Sequence, residues 1–431
     1  MCVARSHIGK AAPNTGIQLG GSVSTNGGGR GRAPKFGMFD YDSLRVIWWL
    51  FLGLLLAGFA ALDGIVLGLG AIFRFVAKTE PERRALAGVI KPTWDFNQLW
   101  LILGAGATFV AWPRLYAASF SALCFAFWAV LFASILRPAG FGLRNSMAVS
   151  PWRNASDWAL CFGGFVPALL LGIAIGNLFP GIRFHFDAAQ RIIHTGKLLD
   201  LLTPFTLLCG VVSLSMMVLH GACYVAKRID EPAARRARHA GITAAGFFVI
   251  AFITAGLFVI FSLEGYRVPG GIDPSGPLNP ATHTVWLSPG AWLDNYIKWP
   301  WVWGAPLTAL LSALFSCWLL LLRWTRAAFA ASCLVSVGTI FTAGIAMFPF
   351  LMPSSDIARD SLTVWSASSS ENVLRVLTVG TALIPVAFAG VAWALLALRK
   401  RNTLQTLSPQ ARGRANGTLI ASVQITQRTP N

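Results

Sequence analysis

Apolar residues in this chain gather in long blocks, and the polar residues collect between them. Blocks of that length match the ~20 residues with which an α-helix crosses a hydrocarbon core about 30 Å thick. Nine of them predict membrane spans at 44–72, 96–112, 115–137, 157–180, 203–228, 240–264, 302–323, 327–352 and 371–398. Backbone groups in lipid must be satisfied within the segment, so runs this long are helices and not barrel strands. The stretch 97–137 as one helix would reach ~60 Å, about twice the core. Trp112-Pro113-Arg114 supplies the break, since proline lacks a donor and disfavours helix in the residue before it. The predicted fold class is an all-α polytopic membrane protein.

The flanks read differently. Residues 1–37 are rich in Gly, Ser, Ala and Asn and carry Arg5, Lys10, Arg30, Arg32 and Lys35 without an acid. They hold no apolar core of a secretory signal, and such a composition predicts disorder. Met38 is an alternative start. The membrane-embedded part then runs 38–400, and 401–431 is expected to be a disordered cytoplasmic tail.

Composition agrees with this layout. Of 431 residues, 55% are hydrophobic and only 12% charged, about half the charged share of a soluble domain. The formal charge of +18 invites a nucleic-acid reading, but its placement argues against one. Arg74, Lys78, Arg83, Arg84 and Lys91 follow the first span. Arg144 and Arg153 follow the third, Lys227, Arg228, Arg235, Arg236 and Arg238 the fifth, Arg323 and Arg326 the seventh, and Arg399, Lys400 and Arg401 the ninth. The other loops are poorer in cations. The positive-inside rule then puts the C-terminus in the cytoplasm and the N-terminus outside. The basic 1–37 segment opposes that orientation, and a start at Met38 removes the conflict.

Candidate chemistry is sparse. Six of the seven cysteines lie scattered in apolar segments without a CxxC pair, the pattern of small buried hydrophobes. Of six histidines only His220 falls within a predicted span, so the chain lacks the two inward axial ligands of a bundle haem. Tryptophans at span ends, such as Trp94, Trp112, Trp299 and Trp301, fit interface anchors. The sharper signal is charge near span interiors: Asp63 in the first, Asp95 at the opening of the second, Arg137 at the close of the third. The loop charges put all three toward the cytoplasmic side. Two readings stand: a satisfied charge cluster that fixes helix register, or a proton-conducting inlet lined by carboxylates and balanced by arginine. A proton-coupled transporter is the alternative class, for which helices broken at matching positions of two halves are expected.

Motifs in order along the chain narrow the choice: "FDYDSLRVIWW" (39–49), "DGIVLGLG" (63–70), "WDFNQLWL" (94–101), "AWPRLYAASFS" (111–121), "RPAGF" (137–141), "WRNASDWAL" (152–160), "TAGIAMFPFLMPSS" (342–355) and "SLTVWSASSS" (361–370). The set resembles subunit II of the cytochrome bd-type quinol oxidases, including the cyanide-insensitive branch, from about Met38 to about residue 400. The resemblance implies nine helices in two four-helix bundles plus a peripheral helix, in a bacterial inner membrane. It also implies a heterodimer with a subunit I that carries haem b, haem d and the quinol site, while this chain holds no cofactor or metal of its own. Small accessory subunits and membrane lipid are further partners it allows; nucleic acid is not. The complex would oxidise quinol and reduce oxygen to water with cytoplasmic protons. The family's proton-path positions fall on Asp63, Trp94, Asp95 and Arg137. Val66 stands where the family usually has a second acid, and Phe96 replaces a common glycine.

Overall fold

The computed structural model describes residues 40–146, 150–268 and 284–383; the side chains of 91–98, 141, 143, 145, 146 and 150 lie outside the description. The two predicted tails, Met38 and most of the last predicted span are therefore outside it as well. The chain forms α1 (Tyr41–Val76), α2 (Glu80–Ala111), α3 (Pro113–Ala122), α4 (Cys124–Ser146) and α5 (Ser150–Gly176). After the hairpin β1 (Phe184–Phe186) and β2 (Ile192–His194) come α6 (Pro204–Val225) and α7 (Ala233–Phe261). A second hairpin, β3 (Glu264–Arg267) and β4 (Trp286–Pro289), leads through the short α8 (Asp294–Lys298) to α9 (Gly304–Leu321) and α10 (Thr325–Met347). Strands β5 (Phe350–Met352) and β6 (Leu362–Thr363) close a third hairpin before a helix over 371–383.

Six of these helices are long and apolar enough to cross a membrane, and α3 with α4 makes a seventh, bent by 80°. Leu99–Ala111, the far half of α2, is a shorter apolar stretch. The polytopic all-α class holds, while the count of nine is not reached among the described residues. In chain order the helices form two groups. In the second, α6 packs on α7, α7 on α9, α9 on α10 and α10 back on α6, a closed four-helix ring. In the first, α1 lies against α2 and α5, and α5 pairs with α4; α1 and α5 both lean on α6 to join the groups.

Two sequence expectations need correction. The third span is not one helix: Leu123 leaves the helical region (φ −100°, ψ 18°), and α3 turns aside onto β2 and β5. Stacked rings of Tyr116, Phe120 and Phe127, 4.2 and 4.3 Å apart, clamp the corner. It is the one such break among the described residues, so the paired breaks expected of a transporter are not seen there. Second, α2, α5 and α7 begin 16, 7 and 7 residues before their predicted spans, at Glu80, Ser150 and Ala233. Their first turns are charged, which hides them from an apolar pattern, and ion pairs hold them helical.

Glu82 shows how. Its carboxylate accepts from the backbone N–H of Lys78 (2.8 Å) and Thr79 (3.0 Å), capping α2, and from Arg236 Nη2 of α7 (2.6 Å). The Thr79 N–H contributes most to holding its pKa down at about 2, from an ordinary value of 4.5. A folded-state value below the unfolded one adds stability that is complete above about pH 4.5 and fades as the pH falls to about 2. Glu82→Gln is expected to lower Tm by roughly a few degrees at neutral pH. The gap from wild type should shrink in melts near pH 3; an unchanged gap would show that the charge of Glu82 contributes nothing.

Close helix approach rests on small residues, as membrane interfaces require. A Cβ added at Gly68 of α1 would lie 1.8 Å from the Met217 carbonyl oxygen of α6, and one at Gly164 of α5 would lie 2.4 Å from the Leu67 carbonyl oxygen of α1. These contacts draw α5, α1 and α6 together. The three hairpins gather at the end of the molecule opposite the basic turns, and the Ile182–Ser354 bridge links the first to the third.

Candidate functional site: a buried ion pair between α1 and α4

Asp63 stands 13 residues before the end of α1, about 20 Å inward from the basic end at 1.5 Å per residue. Arg137 of α4 reaches it: Nη1 donates to Oδ1 at 3.1 Å and to Oδ2 at 3.2 Å, and Nη2 donates to Ser134 Oγ at 3.3 Å. The side chains are 2% and 4% exposed, so each charge depends on the other. Gly163 of α5 makes room, since a Cβ there would lie 2.7 Å from Arg137 Cγ. Pro138, inside α4, has no N–H to give, which also frees the Ser134 carbonyl from its helical partner.

The pair is not fully bonded. One nitrogen serves both carboxylate oxygens, and the buried Arg137 Nε has no acceptor among the described residues. A buried carboxylate can accept about four hydrogen bonds. Among the described residues Arg137 is the charged partner of Asp63, and the pair lies inside the helix packing where each charge needs the other.

Two neighbours bound the site. His220 of α6 lies against the next turn, its Cδ2 3.8 Å from a Cβ built on Gly64. Its Nε2 bonds the Ala61 carbonyl at 2.8 Å, its Nδ1 bonds Ser332 Oγ at 2.8 Å, and its ring stacks on Phe329 at 4.9 Å. Both ring nitrogens thus tie α1, α6 and α10 together. Val66 is buried in an apolar cluster with Ile65, Leu69 and Leu160, so nothing polar replaces the acid that the resemblance leads one to expect there.

Asp95 and Trp94 belong to α2, but their side chains lie outside the described residues. Asp95 does not open the helix, as the sequence led us to expect; it lies 15 residues after its start at Glu80. Its level follows from the antiparallel register. A Cβ on Gly58 of α1 would lie 2.8 Å from the Trp100 ring of α2, so positions 58 and 100 face each other. Five residues toward the basic end on both helices bring positions 63 and 95 to the same level to within about a helical turn, the reach of the Trp100 side chain.

The sequence reading missed a second buried acid. Asp157 of α5 is fully buried and accepts from Arg83 Nη1 at 2.9 Å and from Arg144 Nη1. Arg144 Nη2 goes on to Glu80 at 2.9 Å. This network pins α2, α4 and α5 at the basic end. Its signal was an acid inside "WRNASDWAL", at the first residue of the predicted span. Among the described residues no cluster of three or more His, Cys, Asp or Glu is arranged to hold a metal ion.

Fold and site together define a multi-pass helical membrane protein with an arginine–carboxylate pair inside the membrane. The sequence profile of "Cytochrome bd terminal oxidase subunit II" matches residues 44–398, and the chain belongs to that family. It is 41% identical over 359 residues to the cytochrome bd-I ubiquinol oxidase subunit 2 of Escherichia coli (strain K12), covering 83% of this chain and 94% of that one. Against the cytochrome bd ubiquinol oxidase subunit 2 of Bacillus subtilis (strain 168) the identity is 28% over 365 residues, covering 83% and 97%. Among solved structures, the bd oxidase from Geobacillus thermodenitrificans matches with a TM-score of 0.60 at 16% identity, covering 82% of this chain and 98% of that one. At that identity the likeness speaks for the fold.

Proposed function

We propose that this chain is the haem-free subunit II of a cytochrome bd-type quinol oxidase in a bacterial inner membrane. Subunit I carries haem b, haem d and the quinol site, and this chain helps bring protons to it from the cytoplasm. The relatives named as ubiquinol oxidase subunits support the reaction class. The commitment of both His220 nitrogens to hydrogen bonds supports placing the haems in the partner. The basic loops at one end support a cytoplasmic C-terminus and an outer N-terminus.

Protons enter past Asp95 and Trp94 on α2 and Asp63 on α1, with Arg137 as the balancing charge. The observation that carries this reading is the Asp63–Arg137 pair itself, an ionisable couple buried inside a membrane-spanning helix packing, where such groups mark ion and proton paths. The shared level of positions 63 and 95 supports it, and with Val66 apolar, Asp63 is the acid α1 offers there. The test of assignment is a tag on this chain and purification from its own membrane. A haem-bearing partner, haem b and d absorption and quinol oxidase activity should come out together. Recovery of the chain alone, or with haem in this subunit when it is expressed by itself, would refute the assignment.

A further inference from the structure

Five guanidinium groups converge where α1, α2, α4 and α5 meet the basic end, and two carboxylates answer them. Asp157 takes Arg83 and Arg144, while Glu80 takes Arg144 and Arg84 (3.2 Å) and lies 4.0 Å from Arg153. Arg74 makes no ion pair among the described residues; its Nη1 donates to Asn154 Oδ1 and its guanidinium sits 4.6 Å from the centre of the Trp158 ring. Among the described residues positive charge is left over at Arg74, beside a cleft of about 570 Å³ lined by Glu80, Arg83, Pro151, Arg153 and Asn154. Burial pushes the Glu80 carboxyl up, but Arg144, Arg84 and Arg153 outweigh it and hold it below its ordinary range.

The cleft continues into an apolar track. Trp158, Phe162 and Phe165 are exposed at i, i+4 and i+7 of α5, on one face of a membrane-spanning helix. The first two rings stack at 5.6 Å, and Arg74 rests on Trp158 at the junction. A cationic cleft opening onto an apolar helix face matches an amphiphile with an anionic head and an acyl tail. Guanidinium groups suit a phosphodiester because their forked N–H groups meet its oxygens in pairs. Glu80, an acceptor within the cleft, suits a headgroup that also carries hydroxyls.

We propose that this cleft binds an anionic glycerophospholipid with a hydroxyl-bearing head, of the phosphatidylglycerol type, from the basic-end leaflet. Its phosphodiester lies against Arg74, Arg83 and Arg153, a headgroup hydroxyl donates to Glu80, and an acyl chain runs along Trp158 and Phe162. A free phosphate would meet the cations but leave the track unused.

The test is native mass spectrometry on the assembly purified from the membrane through this chain and stripped of lipid by detergent exchange. It is titrated with phosphatidylglycerol, with phosphatidylcholine of the same acyl chains, and with phosphatidylglycerol in excess inorganic phosphate. One phosphatidylglycerol should bind at least about tenfold more tightly than phosphatidylcholine, a difference of about 1.4 kcal/mol. Excess inorganic phosphate should not displace it. Arg74→Gln with Arg153→Gln should bring the two lipids level, and Trp158→Ala should weaken both. Equal binding of the two lipids by the wild type would overturn the proposal without reference to any variant. Displacement by inorganic phosphate would assign the cleft to a free anion, and an unchanged preference in the double variant would place the lipid elsewhere; either outcome overturns it.

Discussion

Arg137→Gln is expected to leave little folded chain in the membrane. It strands the Asp63 carboxylate, buried to 2% exposure, without a counter-charge. Removing one partner of a buried pair typically costs about 3–5 kcal/mol, against a total stability of roughly 5–15 kcal/mol. The recovered monodisperse protein and its Tm measure this. Asp63→Asn strands the Arg137 guanidinium in turn, and although the amide oxygen still accepts from Nη1, a loss of similar order is expected. Combining the two replaces the ion pair with a neutral pair of amides, and should recover much of what Arg137→Gln loses, the coupling expected of direct partners. Full recovery of Arg137→Gln alone would mean that Asp63 is stabilised by something other than this arginine.

Gly68→Ala should be as damaging, for a reason unrelated to charge. The added Cβ would lie 1.8 Å from the Met217 carbonyl oxygen and 2.5 Å from its carbon. Those atoms are backbone, so no rotamer change relieves the overlap; α1 and α6 must move apart. Overpacking of a core commonly costs about 1–3 kcal/mol and more where the backbone cannot yield. Here it also loosens the joint between the two helix groups, which α6 makes with α1 and α5. Gly246→Ala on α7 is the control: nothing lies within 4 Å of its Cβ, and the same change should be neutral or slightly stabilising by helix propensity. Thermal melts of both should differ by many degrees; similar melts would show that the α1–α6 crossing has slack.

The sequence made the membrane class and most spans legible, because a 20-residue apolar run has few other uses. It also brought Asp63 and Arg137 to one side, and the structure joins them at 3.1 Å. Three features stayed hidden for physical reasons. The charged first turns of α2, α5 and α7 carry no apolar signal, since Glu82, Asp157 and their arginines stabilise helix through pairs contributed by distant segments. The bend at Leu123 has no proline of its own and arises from packing against the hairpins. Those hairpins are short strands in loops, paired over two to four residues, too short for an alternating pattern to stand out. The glycines that set the crossings were visible only as part of a motif; which carbonyl each faces is a tertiary fact.

The most direct measurement of the proton role is quinol oxidase turnover per haem for the purified Asp95→Asn and Asp63→Asn complexes beside wild type. The amide keeps size and hydrogen bonding but cannot release and regain a proton. If protons enter past these two acids, turnover per haem should fall about tenfold or more in both, on the order of 1.4 kcal/mol or more in barrier, whatever the amount of complex recovered. Val66→Asp should then restore part of the rate lost in Asp63→Asn. Wild-type turnover in both single variants at full haem content would contradict the proton path and leave Asp63–Arg137 as a pair that only fixes helix register.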